Sequence, residues 1–599
     1  MRSALADGRV PDEGRGSMPD HAGPGHTGSH HTASRDRSEY APTDIEAKAV
    51  DVVVMGGGAA GLVAAIAAAD GGASVALVEK SDLVGGTTAM SGGIIWMPVN
   101  HLQAEAGIAD SRSQALAYLQ ALSLGRIDSD MVATLVDTGP EALRYLDEHT
   151  PCGFHLIRGY PDYHPEHPGG LPGGGRSVDN ALFSFDELGD WAACVRNDRG
   201  AHPIMLTETP LGGATELPPA EVLAERARRG EHGMGLALVG ALLRGVLDRG
   251  IAPLLRAPAR RLITQDHSAD PGGSGAHGPD SGARVRGIEL VDGRVIRAGA
   301  AIIATGGFEW NPELTAAFLR GPMTAPAGAP TNTGDGLSMA MWAGARLDNM
   351  SSAWWVPVVR VPGEHSFGHP RVRLILLERT RPGSIMVNAL GKRFTNEAGN
   401  YNAMGGAFHT FDAAGFCYPN LPCWLVFDHR HKLSYDVAGA PPGSEAPSWM
   451  ARADTLDELA GKIGVPARSL EATVARFNTD TATGSDTEFG RGDSAYDTFN
   501  GDRRIAGVGA TLGPLDEPPY YAVEIELGAL GTNGGPKTDT RCRVLASAGG
   551  VIDGLYAAGN AMAAPTGMAY GGAGGTLGPA ITTGFIAGRD AARTVAAAP

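Results

Sequence analysis

The sequence predicts an α/β protein in which both ends of the chain contribute to one domain. Three observations support this prediction. At 599 residues, the chain is too long for one simple core, so two or more domains are expected. A strand, a glycine-rich turn, an alanine-rich helix and a second strand follow one another from Ala49. A strand and a helix that begins in glycines close the chain after residue 549, and such units build α/β sheets.

Composition and charge exclude several classes of protein. The net charge of −17 disfavours a nucleic-acid partner, because phosphate binding relies on Lys and Arg. No apolar run reaches the ~18 residues of a membrane span, so no transmembrane segment is expected. The five cysteines lack the short paired spacings of metal or iron–sulfur sites. We therefore expect a cytoplasmic protein with reduced thiols and no metal; the cysteines are Cys152, Cys194, Cys417, Cys423 and Cys542.

Two segments have the composition of disordered chain. Residues 1–48 are polar and rich in Gly, Pro, Ser, Asp and His, so they cannot bury enough apolar area to offset the entropy of ordering. They predict a disordered N-terminal extension, or an over-long start with Met18 as the true initiator. Residues 266–284 ("DHSADPGGSGAHGPDSGAR") lie between two strand-like segments and predict a surface insertion.

The first ordered segment carries a dinucleotide-binding motif. In "AVDVVVMGGGAAGLVAAIAAADGGASVALVEKS", Gly56, Gly58 and Gly61 occupy the G-x-G-x-x-G positions, and Glu79 ends the second strand. The first glycine turns the chain, the second lets a pyrophosphate approach, and the third packs the helix on the strand. The carboxylate can accept hydrogen bonds from a ribose. This motif favours a dinucleotide without separating FAD from NAD.

Further glycine-rich segments follow strands or begin helices. They are "DLVGGTTAMSGG" (82–93), "AGAAIIATGGFEWN" (298–311), "TNTGDGLSMAMWAGA" (331–345), "GGVIDGLYAAGNAMAAP" (549–565) and "GGTLGPAITTGFIAGRDAAR" (574–593). The two chain ends therefore have the pattern of two halves of one Rossmann-like, nucleotide-binding domain.

In combination, these segments resemble the fumarate reductase and succinate dehydrogenase flavoprotein superfamily, which binds FAD. The resemblance covers nearly the whole chain from about Val50. It implies an FAD-binding domain formed by residues 49–361 and 532–599, with an inserted α+β substrate-capping domain at 362–531. The FAD-binding residues implied are Gly56, Gly58, Ala60, Gly61, Glu79, Lys80, Gly86, Thr87, Thr88, Ser91, Gly92, Gly93, Thr305, Gly306, Asp335, Gly559, Asn560, Gly575, Thr576 and Leu577.

Residues characteristic of two branches of that superfamily are missing. Fumarate reductases hold a dicarboxylate with an Arg in the last glycine-rich segment and a His in an "H-T-x-G-G" motif. This chain has "MAYGGAGG" and "LGTNGGPKTD" there, so succinate is a poor candidate substrate. Respiratory flavoproteins attach FAD through a His at the position that Gly86 occupies here, so the resemblance implies non-covalent FAD.

The pattern that fits resembles the 3-ketosteroid Δ1-dehydrogenases. Their "Y-x-G-x-G" motif matches Tyr570 to Gly574, their "P-G-S-I-x-V-N-x-x-G-x-R-F-x-N-E" motif matches residues 382–397 before Tyr401, and "Y-x-x-Y-H-P-E" matches residues 160–166. The resemblance implies that Tyr570 and the backbone N–H of Gly574 hold the C3 carbonyl oxygen of the substrate. It also implies that Tyr401 takes the C2 proton, and that Tyr163 supports Tyr401 by hydrogen bonding.

The chemistry of desaturation is compatible with these residue types. Two donors on the carbonyl oxygen stabilise the developing enolate, each by ~3 kcal/mol of barrier, and flavin N5 accepts the C1 hydrogen as hydride. An ordinary tyrosine titrates near ~10 and is a weak base at neutral pH. A hydroxyl that donates to the phenolate favours the charged form. We therefore expect a basic pH optimum.

Alternatives remain open at several residues. Tyr160, His164 or His167 could replace Tyr163 as the partner of the base. Trp354 and Trp355 could line an apolar pocket or pack in the core, and the charged residues of "LLERTRPGSI", at positions 378, 379 and 381, could clamp a substrate or form ordinary salt bridges.

Alternatives also remain open for the function. The favoured one is desaturation of the A ring of a 3-ketosteroid, with electrons passing to an unidentified acceptor. The chain could instead act on another apolar cyclic ketone or enone, at the Δ4 bond of a 5α-steroid, or as an enone reductase similar to fumarate reductase. A non-catalytic electron-transfer subunit is a further alternative, disfavoured by the tyrosines and by the absence of iron–sulfur cysteines.

Overall fold

The computed structural model describes residues 49–197, 200, 202–265 and 284–597. The predicted N-terminal extension (1–48) lies outside the described residues. The insertion predicted at 266–284 also lies outside them, except for its last residue.

A first sheet joins strands from both ends of the chain. Strand Val50–Met55 pairs in parallel with Val295–Ile303 and Val75–Val78, and Val295–Ile303 pairs in parallel with Val551–Ala557. Parallel strands are covered on both faces and need continuous apolar runs, as in "VDVVVM". This pairing, with helices on the sheet, confirms the predicted α/β fold. Antiparallel strands complete the sheet: Arg543–Leu545, Ala259–Gln265 and Arg284–Leu290.

Small residues bring together the first and last helices. Helix Ala59–Asp70 packs on the C-terminal helix Leu577–Ala596. A Cβ atom on Gly584 would lie 2.4 Å from the carbonyl oxygen of Ala60, and one on Gly588 would lie 2.3 Å from that of Ala64. Because helix separation depends on the side chains at the contact, glycine at these two positions permits the close approach.

A second sheet is formed mainly by the middle of the chain. Its long central strands, Ala353–Ser366 and Tyr520–Thr532, pair in an antiparallel manner. The order of strands is His369–Leu374, Ala353–Ser366, Tyr520–Thr532, Cys423–Phe427 and Ser384–Asn388, and the short strands Ala325–Pro326 and Ala451–Ala453 pair with Tyr520–Thr532. This sheet holds the segments on either side of Tyr401. The boundaries 49–361, 362–531 and 532–599 stay a prediction.

The remaining elements are short strands and helices around the two sheets. The short strands are Ile95–Trp96, Phe154–Arg158, Gly174–Asn180, Phe183–Ser184, Glu231–His232, Leu347–Asp348 and Gly535–Pro536. The other α-helices are Gly86–Met90, His101–Glu105, Arg112–Leu122, Ser129–His149, Ala220–Arg228, Met234–Asp248, Pro312–Phe318, Asp335–Trp342, Met404–Phe408, His429–Ser434, Leu456–Ile463, Ala467–Thr483 and Ala495–Asn500. The 3₁₀ helices are Phe185–Cys194, Leu206–Glu208, Pro210–Gly212, Glu378–Thr380, Gly507–Ala510 and Gly559–Ala561. None of the helices described has the length and apolar character needed to cross a membrane.

A buried ion network supports the segment that leads to Tyr401. Arg393 donates to both carboxylate oxygens of Glu397 and to both of Asp486, each at 2.8 Å. Arg491 donates to Glu397 at 3.2 Å. All four side chains are fully buried in these pairs. Removing one partner of such a network leaves an uncompensated buried charge, so the network fixes the conformation of the chain just before Tyr401.

Candidate active site

One continuous cleft of about 610 Å³ runs along the first sheet and reaches the second. At one end it is lined by the glycine-rich turn after strand Val50–Met55. At the other it is lined by five tyrosines: the predicted Tyr163, Tyr401 and Tyr570, together with Tyr160 and Tyr496. The cleft therefore brings the two groups of residues that the sequence predicts as functional into one site.

The glycine-rich turn has the geometry that its motif requires. Gly56 has a φ of +111°, which only glycine adopts without strain. A Cβ atom on Gly61 would lie 1.9 Å from the carbonyl oxygen of Gly56. Glu79 is buried, and its carboxylate accepts hydrogen bonds from the amides of Gly57 and Ser81 at 2.8 and 2.9 Å. Burial raises the pKa of Glu79, whereas these two amides lower it.

The residues around the turn fit FAD. A Cβ atom on Gly58 would contact only the Thr88 hydroxyl, at 3.8 Å, and one on Gly86 would have no neighbour within 4 Å. Because both glycines line the cleft, side chains at these positions would project into it. In the helix that begins at Ala59, the N-cap is Gly58, and among the described residues only the Thr88 hydroxyl accepts from the Ala59 amide, at 3.2 Å, which leaves the amides that follow available to a pyrophosphate. Thr305 lines the cleft with a buried hydroxyl that has no described partner. Glycines, helix amides and a donor hydroxyl suit a long phosphate-containing cofactor.

Almost all predicted cofactor-binding residues line the cleft. Gly61 and Gly575 do not: Gly61 packs beneath the turn, and Gly575 packs against the ring of Tyr570. The lining residues are Gly56, Gly58, Ala60, Glu79, Lys80, Gly86, Thr87, Thr88, Ser91, Gly92, Gly93, Thr305, Gly306, Asp335, Gly559, Asn560, Thr576 and Leu577.

Several predicted cofactor residues contact one another across the cleft wall. Lys80 Nζ donates to Asp335 and to the Thr333 hydroxyl, both at 2.6 Å. The Thr87 hydroxyl accepts hydrogen bonds from the amide of Ala329 at 2.9 Å and from Asn332 at 3.0 Å. These bonds join residues 80 and 87 to the segment 329–335, so they hold together two parts of the cleft wall that are far apart in the chain.

Replacing Gly61 with alanine should remove FAD from the purified protein. The new Cβ would collide with the Gly56 carbonyl and distort the turn, and we expect FAD affinity to fall at least ~10-fold, about 1.4 kcal/mol. The ratio of flavin to protein absorbance after dialysis measures the FAD content of the variant. The control is Gly461→Ala, inside helix Leu456–Ile463 with open space around its Cβ position, which should keep its FAD. Full FAD content in Gly61→Ala would contradict the assignment of this turn.

The three predicted tyrosines, Tyr163, Tyr401 and Tyr570, form a buried aromatic cluster. The Tyr163 hydroxyl donates to the Tyr401 hydroxyl at 3.0 Å. The rings of Tyr163 and Tyr570 stack with centroids 5.2 Å apart, and the Tyr401 and Tyr570 rings meet edge to face at 5.6 Å. The exposed fractions are 4% for Tyr163, 8% for Tyr401 and 4% for Tyr570. Residues from three distant parts of the chain thus present their hydroxyls to one end of the cleft.

Burial dominates the protonation of these tyrosines. It raises the pKa of Tyr401 well above its usual range; the charge of Tyr570 raises this pKa further, and the hydrogen bond from Tyr163 lowers it. Burial likewise raises the pKa of Tyr163 and of Tyr570. In the absence of substrate all three hydroxyls are protonated at neutral pH, so any tyrosine acting as a base is favoured by alkaline conditions.

Trp96 explains why the loop around Tyr570 consists of glycines. Cβ atoms on Gly571 and Gly572 would lie 2.7 and 2.4 Å from the Trp96 ring, and one on Gly574 would lie 2.4 Å from the Trp96 amide nitrogen. Gly574 has a φ of +94°, and within the described chain its own N–H donates to no backbone acceptor. Gly574 lines the same cleft as Tyr570.

A second buried network holds the segment of Tyr163 and was missed from the sequence. Asp162 accepts hydrogen bonds from the Trp96 indole at 2.8 Å and from Arg176 at 2.7 Å, and Arg176 also pairs with Asp110 at 2.7 Å. The amide of Tyr163 donates to the carbonyl of Gly571 at 3.0 Å. In the sequence, Asp162 inside "YPDYHPE" is the only sign of this network, because Trp96, Arg176 and Asp110 lie in separate segments of the chain.

The structure distinguishes among the alternative partners of Tyr401. Tyr160 is buried, lines the cleft and packs against Phe499, but the hydroxyl that donates to Tyr401 is that of Tyr163. His164 faces Asn400 at 3.2 Å. His164 and His167 lie with Glu166 in a group whose possible ligand atoms are within 4.8 Å of one another, outside the cleft lining.

The two tryptophans and the "ERTR" segment also differ in their surroundings. Trp354 meets the Tyr570 ring edge to face at 5.3 Å, whereas Trp355 packs in the core of the second sheet. Arg381 lies over the ring of Tyr435, away from the cleft. Arg379 lines the cleft and is 1% exposed.

Comparison with known proteins agrees with this site. Residues 51–577 match the family model described as FAD binding domain. The 4-oxocyclohexanecarboxylate 2-dehydrogenase of Sinomonas cyclohexanicum is 41% identical over 544 residues, which cover 90% of this chain and 92% of that protein. The 3-oxosteroid 1-dehydrogenase of Mycobacterium tuberculosis is 38% identical over 566 residues, covering 90% and 97%.

A solved structure is also similar. It is the crystal structure of 3-ketosteroid Δ1-dehydrogenase from Sterolibacterium denitrificans in complex with 1,4-androstadiene-3,17-dione, with a TM-score of 0.82 and 33% sequence identity. The match covers 91% of this chain and all of that one (100%). The cleft, the glycine-rich turn and these relatives lead to one conclusion: the chain is an FAD-dependent oxidoreductase that belongs to the 3-ketosteroid Δ1-dehydrogenase family.

Proposed function

We propose that the protein removes hydrogens from C1 and C2 of the A ring of a 3-ketosteroid. The observation that carries this proposal is the convergence of Tyr163, Tyr401, Tyr570 and the free N–H of Gly574 at one end of the cofactor cleft. A proton acceptor and two donors for a carbonyl oxygen are what the oxidation of a ring bond next to a ketone needs.

Each residue has a defined task in this proposal. The Tyr570 hydroxyl and the Gly574 N–H donate to the C3 carbonyl oxygen, which acidifies the C2 hydrogen and stabilises the developing enolate. Tyr401 takes the C2 proton, and Tyr163 donates to the Tyr401 hydroxyl as negative charge forms there. Bound FAD supplies the acceptor for the C1 hydride at flavin N5. The proton and the hydride account for both hydrogens that leave the substrate.

The rest of the cleft suits an apolar ring system. Beyond the tyrosines it is lined mainly by half-buried and buried aliphatic side chains, which favour binding of a hydrocarbon skeleton by excluding water from it. These side chains are Ile94, Leu206, Leu211, Met234, Val372, Leu374, Leu376 and Leu530.

The proposal extends to the cofactor linkage, the domains and the compartment. The FAD is held non-covalently, since Gly86 stands where a histidine would be needed for attachment. Residues 362–531 form the substrate-capping domain. We assign the protein to the cytoplasm, with an electron acceptor still to be identified.

A second candidate substrate is a monocyclic oxo-acid such as 4-oxocyclohexanecarboxylate. The relative named for that substrate is 41% identical to this chain. Arg379 places a buried guanidinium in the cleft wall, and a cation there favours a substrate that carries a carboxylate. The chemistry at the ketone is the same for both candidates.

Anaerobic mixing with a panel of ketones tests the proposal. We expect the yellow protein to bleach within seconds with a 3-keto-4-ene steroid, and product analysis should show a new C1–C2 double bond. The panel includes a saturated 5α-3-ketosteroid and 4-oxocyclohexanecarboxylate. Bleaching by the oxo-acid alone would favour the second candidate. If no ketone of the panel bleaches the flavin, the proposed function is wrong, although FAD binding stands.

A further inference from the structure

Arg379 joins the segment before Tyr401 to the end of a neighbouring strand. Its Nε donates to the carbonyl of Ile375 at 3.0 Å, and its Nη1 donates to the carbonyls of Glu397 and Gly399, the latter at 2.8 Å. Gly399 lies two residues before Tyr401. Within the described chain, the hydrogen bonds of this guanidinium go to backbone oxygens, and no carboxylate forms an ion pair with it.

The guanidinium carries its charge toward the tyrosine cluster. The groups that interact most strongly with its charge are, in decreasing order, Tyr496, Glu378, Asp497 and Tyr163. Its charge also lowers the pKa of Tyr160 and of Tyr496, against the larger effect of burial. Arginine stays protonated at any pH at which the enzyme works, so this positive charge is permanent.

The two acids that interact with Arg379, Asp497 and Glu378, also have hydrogen-bond partners of their own. Asp497 accepts hydrogen bonds from Asn396 at 2.8 Å and from the amide of Gly492 at 3.0 Å. Glu378 accepts one from the amide of Leu376 at 3.1 Å, and burial raises its pKa to about 6. The Glu397 side chain is engaged by Arg393 and Arg491.

We propose that Arg379 is a positioning residue for Tyr401, whose guanidinium orients the segment carrying the base and favours negative charge on the Tyr163–Tyr401 hydroxyl pair. Burial alone works against a tyrosine base, because it favours the neutral hydroxyl. The permanent cation of Arg379 interacts electrostatically with Tyr163, which donates to Tyr401, and this interaction offsets part of that effect. This inference rests on the proposed function and adds a residue that acts through Tyr401.

The sign of the expected pH effect follows from the charge. The base must be deprotonated to accept the C2 proton, so the rate of flavin reduction rises with pH on its acid limb. Without the positive charge, the pKa of the hydroxyl pair is higher and the limb moves to higher pH. A shift of about one pH unit corresponds to a tenfold loss at neutral pH, which is recovered in alkaline buffer.

The experiment compares four FAD-loaded enzymes by stopped-flow flavin reduction across pH, using the ketone that bleaches the wild type. Arg379→Gln should move the acid limb upward by about one unit, and ultraviolet titration should show tyrosinate forming later. Arg379→Lys keeps the charge but cannot bridge three carbonyls. The acid limb of its pH profile should therefore not move, while its rate of flavin reduction on the alkaline plateau should fall several-fold. The control Arg503→Gln removes a guanidinium that also donates to a carbonyl, that of Gly213, and should leave the limb unchanged.

The outcomes separate this inference from its alternatives. An unshifted limb in Arg379→Gln overturns it. If Arg379→Gln does not fold, wild-type kinetics in Arg379→Lys overturn it instead. A raised KM for carboxylated ketones alone, with the pH profile unchanged, would make Arg379 a substrate anchor and also contradict the inference. Failure of the wild type to bleach with any ketone is a different result, because it refutes the proposed function itself.

Discussion

Replacing Tyr401 with phenylalanine should slow flavin reduction by the ketone about 100- to 10,000-fold, the range for loss of a general base. The ring would stay in place against Tyr163 and Tyr570, whose centroids lie 5.4 and 5.6 Å away. Only the oxygen proposed to accept the C2 proton would be lost. The measurement is the anaerobic rate constant for bleaching, with FAD content checked beforehand.

The pH profile distinguishes loss of a base from simple damage to the site. Burial raises the pKa of Tyr401, so the wild-type rate should climb from neutral to alkaline pH, and the residual rate of Tyr401→Phe should lack that climb. The matched control is Tyr556→Phe, which removes a buried hydroxyl that donates to Asp590 at 3.0 Å and does not belong to the cleft lining. A Tyr401→Phe enzyme within tenfold of the wild type would falsify the role of Tyr401 as the base.

The fold could be predicted where local geometry requires particular residues. The turn at Gly56 needs a positive φ, and Gly61 must have no side chain, so the strand–turn–helix unit has a signature within a dozen residues. The second sheet has no such signature. Ala353–Ser366 pairs with Tyr520–Thr532 across more than 150 residues of chain, and alternation in one strand does not identify its partner.

The site could be predicted only in part for a similar reason. Resemblance supplied Tyr163, Tyr401 and Tyr570 because each lies in a short motif. The loop sequence around Tyr570 indicated little to pack against; the structure packs its ring on Trp354 and on the other two tyrosines, from distant segments. Arg379 donates to backbone carbonyls, which leave no trace in the sequence. Its position could therefore not be predicted from residue types.

Replacing Tyr570 with phenylalanine should lower the turnover number about 100- to 1,000-fold, the cost of one oxyanion donor. The amide of Gly574 would remain as the second donor, so activity should not vanish. The variant should retain FAD, since the described ring contacts of Tyr570 are with Tyr163, Trp354 and Tyr401 and not with the glycine-rich turn. Steady-state kinetics with the ketone that bleaches the wild type measure the effect.

The division of the loss between kcat and KM shows whether the Tyr570 hydroxyl stabilises the transition state or only binds the ketone. A donor to the carbonyl oxygen binds the enolate-like transition state more strongly than the neutral ketone, so kcat should fall by far more than KM rises. Tyr118→Phe is the control, because that hydroxyl donates to the Gly571 carbonyl at 2.7 Å and supports the same loop from outside the cleft. If Tyr118→Phe matched Tyr570→Phe in every parameter, the loss of activity would come from displacement of the loop and not from loss of a hydrogen-bond donor to the ketone. If Tyr570→Phe changed KM alone, its hydroxyl would bind the ketone without stabilising the enolate, and the glycine-rich loop would supply the oxyanion site through Gly574 only.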